Sequence, residues 1–170
     1  MDLMTLLENR YSVRKFKPEP ISQDTMTKIL KAGHFAPTAC NNQPQKVFVL
    51  QSEDALAKLR KCTRCHFGCT AALLVCGDSE RAWVRKYDGK DSLYVDASIV
   101  TTHMMLAAEE EDVGTCWVMY FDPNAVRCEF ELPEHLEPVA ILVMGYPAED
   151  STPGPLHSQF RAEEELVAYL

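Results

Sequence analysis

Positive charge is scarce in this chain. Its 170 residues hold 17 Lys and Arg against 25 Asp and Glu, a formal net charge of −8 at pH 7, whereas a protein that grips a phosphate backbone carries a basic face. Nucleic acid is thereby excluded as an expected partner. No run approaches the roughly 20 apolar residues of a membrane span, so no membrane association is expected. The opening Met1-Asp2-Leu3-Met4-Thr5-Leu6-Leu7-Glu8 has no basic leader, long apolar stretch or small-residue cleavage site, which points to the cytoplasm. Seven cysteines, at 40, 62, 65, 69, 76, 116 and 128, are an odd number without an export signal and read as free thiols rather than a disulfide framework. Repeats and linkers are missing too, so 1–170 reads as one domain. No Gly-x-Gly-x-x-Gly is present, which excludes a dinucleotide-binding domain of that type.

What is present alternates between helical and strand-like patterns. Asp2 can cap a first helix carrying Leu3, Leu6 and Leu7, and Ser22 a second, with Ile21 and Met26 as a hydrophobic staple. That helix fades through Gly33 into Pro37. Val47–Leu50, Ala71–Cys76, Thr115–Tyr120 and Pro138–Met144 read as strands. Ser52 can cap a helix through Glu53, Leu56 and Leu59, with Lys58 to Gly68 then cationic and loop-like. The longest helical pattern runs from Ser92 to about Asp112, with Gly114 as its expected stop. Its small and methionine residues on several faces suit either the centre of the protein or a contact with a second copy. Asp122-Pro123 gives an N-cap followed by proline at the first helical position, and Glu163 to Leu170 a last short helix. Trp83 to Gly89 reads as a lid or a surface loop. The class is mixed α and β, with strand order open.

Two stretches carry chemistry. In Arg10-Tyr11-Ser12-Val13-Arg14-Lys15-Phe16, two forked cations flank a hydroxyl, which suits a small phosphate on an otherwise acidic chain. In Ala36-Pro37-Thr38-Ala39-Cys40-Asn41-Asn42-Gln43-Pro44, neutral amides can hydrogen-bond the polar edge of a flat ring. Together with Gly114-Thr115-Cys116-Trp117 and Gly145-Tyr146-Pro147-Ala148-Glu149-Asp150, they resemble the nitroreductase family of flavin enzymes, with the landmarks in that family's order. The resemblance implies an α+β fold with a central, mostly antiparallel sheet flanked by helices, an intertwined homodimer, and FMN held between subunits. It also implies residues: Arg10, Ser12 and Arg14 at the FMN phosphate with Arg161 as a further contact, Pro37, Thr38, Asn41 and Gln43 along the flavin from the other subunit, and Gly114 and Thr115 beside the cofactor. Thr38 stands where serine is usual, and Gln45 where an aromatic residue often follows. The activity implied is hydride transfer from NADH or NADPH to FMN and delivery of electrons to a small electrophile such as a nitroaromatic or quinone, by a ping-pong cycle. No catalytic side chain is required, because the flavin carries the chemistry.

Cys62-Thr63-Arg64-Cys65-His66 matches the pattern of covalent haem attachment, and with Cys69 it could hold zinc or part of an iron–sulfur cluster. The competing reading is a loop of reduced cysteines, redox-sensitive if Lys61 and Arg64 lower a thiol pKa. Two other functions therefore stand beside the oxidoreductase: a flavin-binding storage or sensor protein, and a metal or haem electron carrier. His103 reads as a satisfied core or interface histidine, and Glu109-Glu110-Glu111-Asp112 as a solvated helix end.

Overall fold

The structure is a computed structural model that describes residues 2–170; Met1, the first residue of the expected 1–170 domain, lies outside them. Side-chain caps start several helices where the sequence places them. Asp2 accepts from the Thr5 N–H (3.1 Å) to open α1 (Leu3–Asn9), and Ser22 from the Thr25 N–H (3.1 Å) to open α2 (Gln23–His34). The Ser22 cap contributes about 1 kcal/mol. Ile21 and Met26, on either side of the second cap, are both buried in one cluster. Strand β1 (Gln45–Leu50) leads to α3 (Glu53–Cys62), capped by Ser52. The helix runs through Lys58–Cys62, where the sequence suggests a loop, because Leu56, Leu59 and Cys62 form one buried stripe.

Strand β2 (Ala71–Asp78) is followed by the long helix α4 (Leu93–Glu110), β3 (Gly114–Val118), α5 (Pro123–Glu129), β4 (Leu136–Gly145) and α6 (Glu163–Leu166). Strand β3 stops two residues short of the expected Tyr120, and the tail past Leu166 is not helical. All pairings in the sheet are antiparallel, in the order β1-β2-β4-β3. Pro138 sits at an irregularity in β4: Val75 faces Ala140 and Cys76 faces Pro138, leaving Val139 as an extra residue. A proline has no N–H for the ladder, so a bulge is where it fits.

The central strands serve two cores. Ala71, Leu73 and Val75 of β2 and Ala140, Leu142 and Met144 of β4 pack with α2 and α4 on one face. Ala72, Leu74, Cys76, Ile141 and Val143 pack with α3 and α5 on the other. Burial on both faces explains why these strands read as unbroken apolar runs. Gly33 lets α2 lie against α4, since a Cβ there would come within 2.8 Å of Met104 Cγ. The stop of α4 differs from expectation. Asp112, at φ 57°, takes the left-handed position, while the Val113 N–H bonds Ala108 O (2.9 Å) and the Asp112 N–H bonds Glu109 O (3.1 Å). This is a Schellman closure, and Gly114 is left free for another role in β3.

Candidate functional site

The arginine stretch leaves the end of α1 and runs extended along β3. Its Val13 N–H donates to Thr115 O (2.8 Å), Ser12 and Thr115 form a parallel bridge, and Val13 is buried. Gly114 permits this approach: a Cβ there would lie 2.6 Å from Val13 Cγ2 and 2.9 Å from Pro147 Cγ. With Val13 pinned inward, alternation along the extended chain turns Ser12 and Arg14 outward. Together with Arg10 and Tyr11 they line an open concavity of about 390 Å³, closed on its far side by the turn at 154–157. The Tyr11 hydroxyl holds that turn through Ser151 O (3.2 Å), and the His157 ring stands edge-on to Tyr11.

Electrostatics single out this concavity. Among the described residues, neither Arg10 nor Arg14 forms an ion pair with a carboxylate, whereas Lys15, Lys28, Arg85 and Arg127 all do. Arg14 Nη1 donates to Ser12 O (3.2 Å), and its guanidinium lies 5.9 Å from the Phe67 ring. Burial raises the Glu109 pKa, and the Arg10 charge opposes that rise. Burial likewise raises the Cys116 thiol, offset in part by Arg14, by the Ser12 hydroxyl and by Arg10. Beneath the loop, Thr115 Oγ1 is a buried oxygen without a partner. Two uncommitted guanidiniums and a hydroxyl at one opening form a donor set that fits a phosphate dianion.

The amide segment is held in an unusual shape. Cys40, Asn41 and Gln43 have φ of 51°, 55° and 49°, a region non-glycine residues enter only when their surroundings enforce it. One group that anchors the segment is Asp96, on the buried face of α4 and 2% exposed. Its Oδ1 accepts from the Ala39 N–H (2.9 Å) and its Oδ2 from the Ser92 hydroxyl (2.7 Å). Thr38 Oγ1 accepts from the Gln43 N–H (3.0 Å), and Asn42 donates to Arg81 O (3.0 Å). Pro37, Asn41 and Gln43 therefore stay exposed on a rigid loop. Sequence reasoning did not find Asp96; its one signal is a lone carboxylate on the apolar stripe of Leu93, Ala97 and Val100.

The structure thus gathers Arg10, Ser12, Arg14, Gly114 and Thr115 in one place and Pro37, Thr38, Asn41 and Gln43 in another. No residue of the amide segment lines the arginine concavity. Arg161 stands apart in the tail, its Nε donating to Glu165 (3.0 Å). The Trp83 to Gly89 stretch is a compact turn, closed by an Arg85–Asp88 pair and by the Gly89 N–H donating to Arg85 O.

The cysteine motif does not assemble. Among the described residues, the one close group of three metal-ligand side chains is Asp78, Glu80 and His135, so Cys62, Cys65, His66 and Cys69 do not converge. Cys62 donates to Lys58 O (3.3 Å), and His66 Nδ1 accepts from the Gly68 N–H (3.1 Å). Burial pushes both Cys62 and Cys69 up to about 11, and Lys61 only partly opposes this at Cys62. Neutral buried thiols are inert, so at Cys62 and Cys69 the neighbouring cations do not activate the thiol.

Comparison with known proteins agrees with this geometry. A family model described as the nitroreductase family matches residues 7–67 and 60–146. A solved nitroreductase family protein from Clostridium difficile is 38% identical, covers 99% of this chain and 98% of its own, and superposes with a TM-score of 0.93. A Bacillus subtilis protein named FMN reductase [NAD(P)H] is 27% identical over 91% of this chain and 69% of its own. A structure in complex with FMN, from Exiguobacterium sibiricum, is 20% identical, covers 100% of this chain and 98% of its own, and has a TM-score of 0.86, a likeness of fold. With its antiparallel sheet between two helical layers and its arginine loop on β3, the chain belongs to the nitroreductase family.

Proposed function

We propose that this protein is an FMN-dependent oxidoreductase that takes hydride from NADH or NADPH and passes the electrons to a small electrophile such as a nitroaromatic or a quinone. The observation that carries this reading is the pair of guanidiniums, Arg10 and Arg14, that form no ion pair among the described residues and stand around Ser12 on an acidic chain. They hold the FMN phosphate, and Thr38, Asn41 and Gln43 offer hydroxyl and amide groups to the edge of the ring. Bound FMN supplies the redox chemistry, accepting two electrons from one reactant and releasing them to another. The protein's residues bind and orient; none need carry a proton. The nicotinamide leaves before the acceptor enters the same place, which gives ping-pong kinetics.

The working unit is a homodimer. The clamp and the amide segment do not share a concavity within one chain, and a second copy brings one of each together. Support comes from the outer face of α4, where Tyr94, Val95, Ile99 and His103 line a shallow apolar concavity of about 530 Å³. The seven free cysteines suit a reducing compartment, the cytoplasm. No helix among the described residues is long and apolar enough to cross a membrane.

The test is anaerobic absorption spectroscopy of the purified protein. Flavin bands that bleach on adding NADH or NADPH, with FMN released on heating, are expected. Bound FMN that stays oxidised would instead mean storage or sensing. Arg10→Ala with Arg14→Ala should give a folded protein that has lost FMN by a factor of about 10² to 10⁴, since two charge-assisted bonds contribute about 1.5–3 kcal/mol each, and that treats FMN and riboflavin alike. Full FMN occupancy in the double variant removes the phosphate assignment.

A further inference from the structure

The Cys62-Thr63-Arg64-Cys65-His66 stretch gathers no metal, yet it shapes a second cationic concavity of about 380 Å³. Arg60, Lys61 and Arg64 line one side; Tyr120, Phe121 and Asp122 line the other. Two bonds fix the walls to each other: the Thr63 hydroxyl donates to Tyr120 O, and the Asp122 N–H donates to Cys62 O (2.9 Å). The site is thus built on the end of α3 and the continuation of β3. Arg60 pairs with Glu53, and Lys61 with Glu129 at 2.9 Å. Arg64 has no carboxylate partner among the described residues. Its Nη2 donates to the Tyr120 hydroxyl (3.2 Å), with the guanidinium 5.7 Å from the ring centroid.

Glu53 and Glu129 thus neutralise two of the three cations and Asp122 is engaged in capping α5, so Arg64 is the cation of this lining without a carboxylate partner among the described residues. On a chain of net charge −8, that one guanidinium is the group here that a small anion could pair with. Tyr120 is 66% exposed and offers a ring on which a purine can stack. An arginine beside a stacking aromatic is the chemistry of a phosphorylated adenosine. The same turn also reaches the clamp, because Arg14 lies over Phe67, three residues past Arg64. Thr115 and Tyr120 are five residues apart, roughly 16 Å if fully extended, so the two cationic sites occupy opposite ends of β3.

We propose that this concavity holds the 2′-phosphate of NADPH, with Arg64 as the discriminating group and Tyr120 against the adenine. The assignment rests on the redox reading above and adds a preference to it. NADH has a hydroxyl at that position, which gives a guanidinium no charge to pair with.

The test titrates the purified protein calorimetrically with adenosine 2′,5′-bisphosphate, 5′-AMP and inorganic phosphate, for the native chain and for Arg64→Gln. Arg64 is exposed, so the substitution leaves the core intact. The bisphosphate should bind at least about tenfold more tightly than 5′-AMP, the effect of one charge-assisted phosphate contact, and R64Q should erase the difference. In the holoenzyme, R64Q should raise the KM for NADPH about tenfold more than it raises the KM for NADH, on the same basis. Equal affinity for bisphosphate and 5′-AMP, or displacement by inorganic phosphate at the same concentration, means an adventitious anion only and overturns the proposal. A variant that weakens NADH and NADPH alike overturns it too. The titration involves no turnover, so failure of NADPH and NADH to reduce the protein would sink the redox reading while leaving Arg64-dependent binding in place.

Discussion

Replacing Asp96 should separate stability from cofactor chemistry more sharply than any change at the arginines. The carboxylate is 2% exposed and accepts two hydrogen bonds, from the Ala39 N–H at 2.9 Å and from the Ser92 hydroxyl at 2.7 Å. Hydrogen bonds to a charged group contribute about 1.5–3 kcal/mol each. Asp96→Ala removes both acceptors, and Ala39 is half-buried, so water can partly re-satisfy its N–H. The loss should therefore fall near the low end, about 3 kcal/mol. For a chain of this size that is a drop in Tm of about 6–12 °C. Asp96→Asn keeps an acceptor for Ala39, and the Ser92 hydroxyl can rotate to accept from the new amide, so the cost should be only about 1 kcal/mol. Urea unfolding of the three proteins measures this, with FMN affinity followed in parallel. Asp96→Ala should also loosen the positive-φ backbone at Cys40, Asn41 and Gln43 and weaken FMN beyond what Asp96→Asn does. Equal destabilisation by Ala and Asn, or an Ala variant as stable as the native chain, would refute the argument that Asp96 holds the loop.

Gly114→Ala should cost about 1–3 kcal/mol through overpacking, because the added Cβ meets Val13 Cγ2 at 2.6 Å; adding Val13→Ala should recover part of the loss, and strictly additive unfolding energies would contradict the contact. Alkylation at neutral pH should mark exposed Cys40 and Cys128 first and spare Cys62, Cys69 and Cys76, which mass spectrometry of digested peptides can read. Those three thiols are raised by burial from 9.0 to about 11, 11 and 12, so above pH 9 the unfolded chain loses protons that the folded chain keeps. Stability from this source is full below about pH 9 and falls as pH rises through 11; unfolding curves that are flat across that window would show the thiols are not protected.

Features set by near neighbours in the chain were legible. Ser22, Ser52 and Asp122 cap helices because a cap needs only a side chain and an N–H two or three residues on. The unbroken apolar runs of β2 and β4 announce burial on both faces. What depends on distant partners was less legible. Gly114 has the look of a helix stop, yet Asp112 closes α4, and the glycine's reason lies in Val13, a hundred residues away. Lys58–Cys62 looks loop-like by charge, but Leu59 and Cys62 face a core supplied by other strands. In the site, the arginine pattern suggests an anion from local residues alone, since two like charges flank a serine on an acidic chain. The shape of the amide segment was not legible in this way, because three non-glycine residues with positive φ leave no local trace and the carboxylate that anchors Ala39 beside them lies on another helix.

The uneven placement of charge has a consequence for how ligands arrive. The chain as a whole is negative, while the guanidiniums of Arg10, Arg14 and Arg64, none in an ion pair among the described residues, line two concavities beside a single strand. A phosphate-bearing molecule approaching from most directions meets repulsion and is drawn in only within about 8 Å of those concavities at physiological ionic strength. Added salt relaxes the distant repulsion and the close attraction together. Encounter rates should therefore vary little with ionic strength, while residence times shorten, the reverse of what uniform electrostatic steering would give.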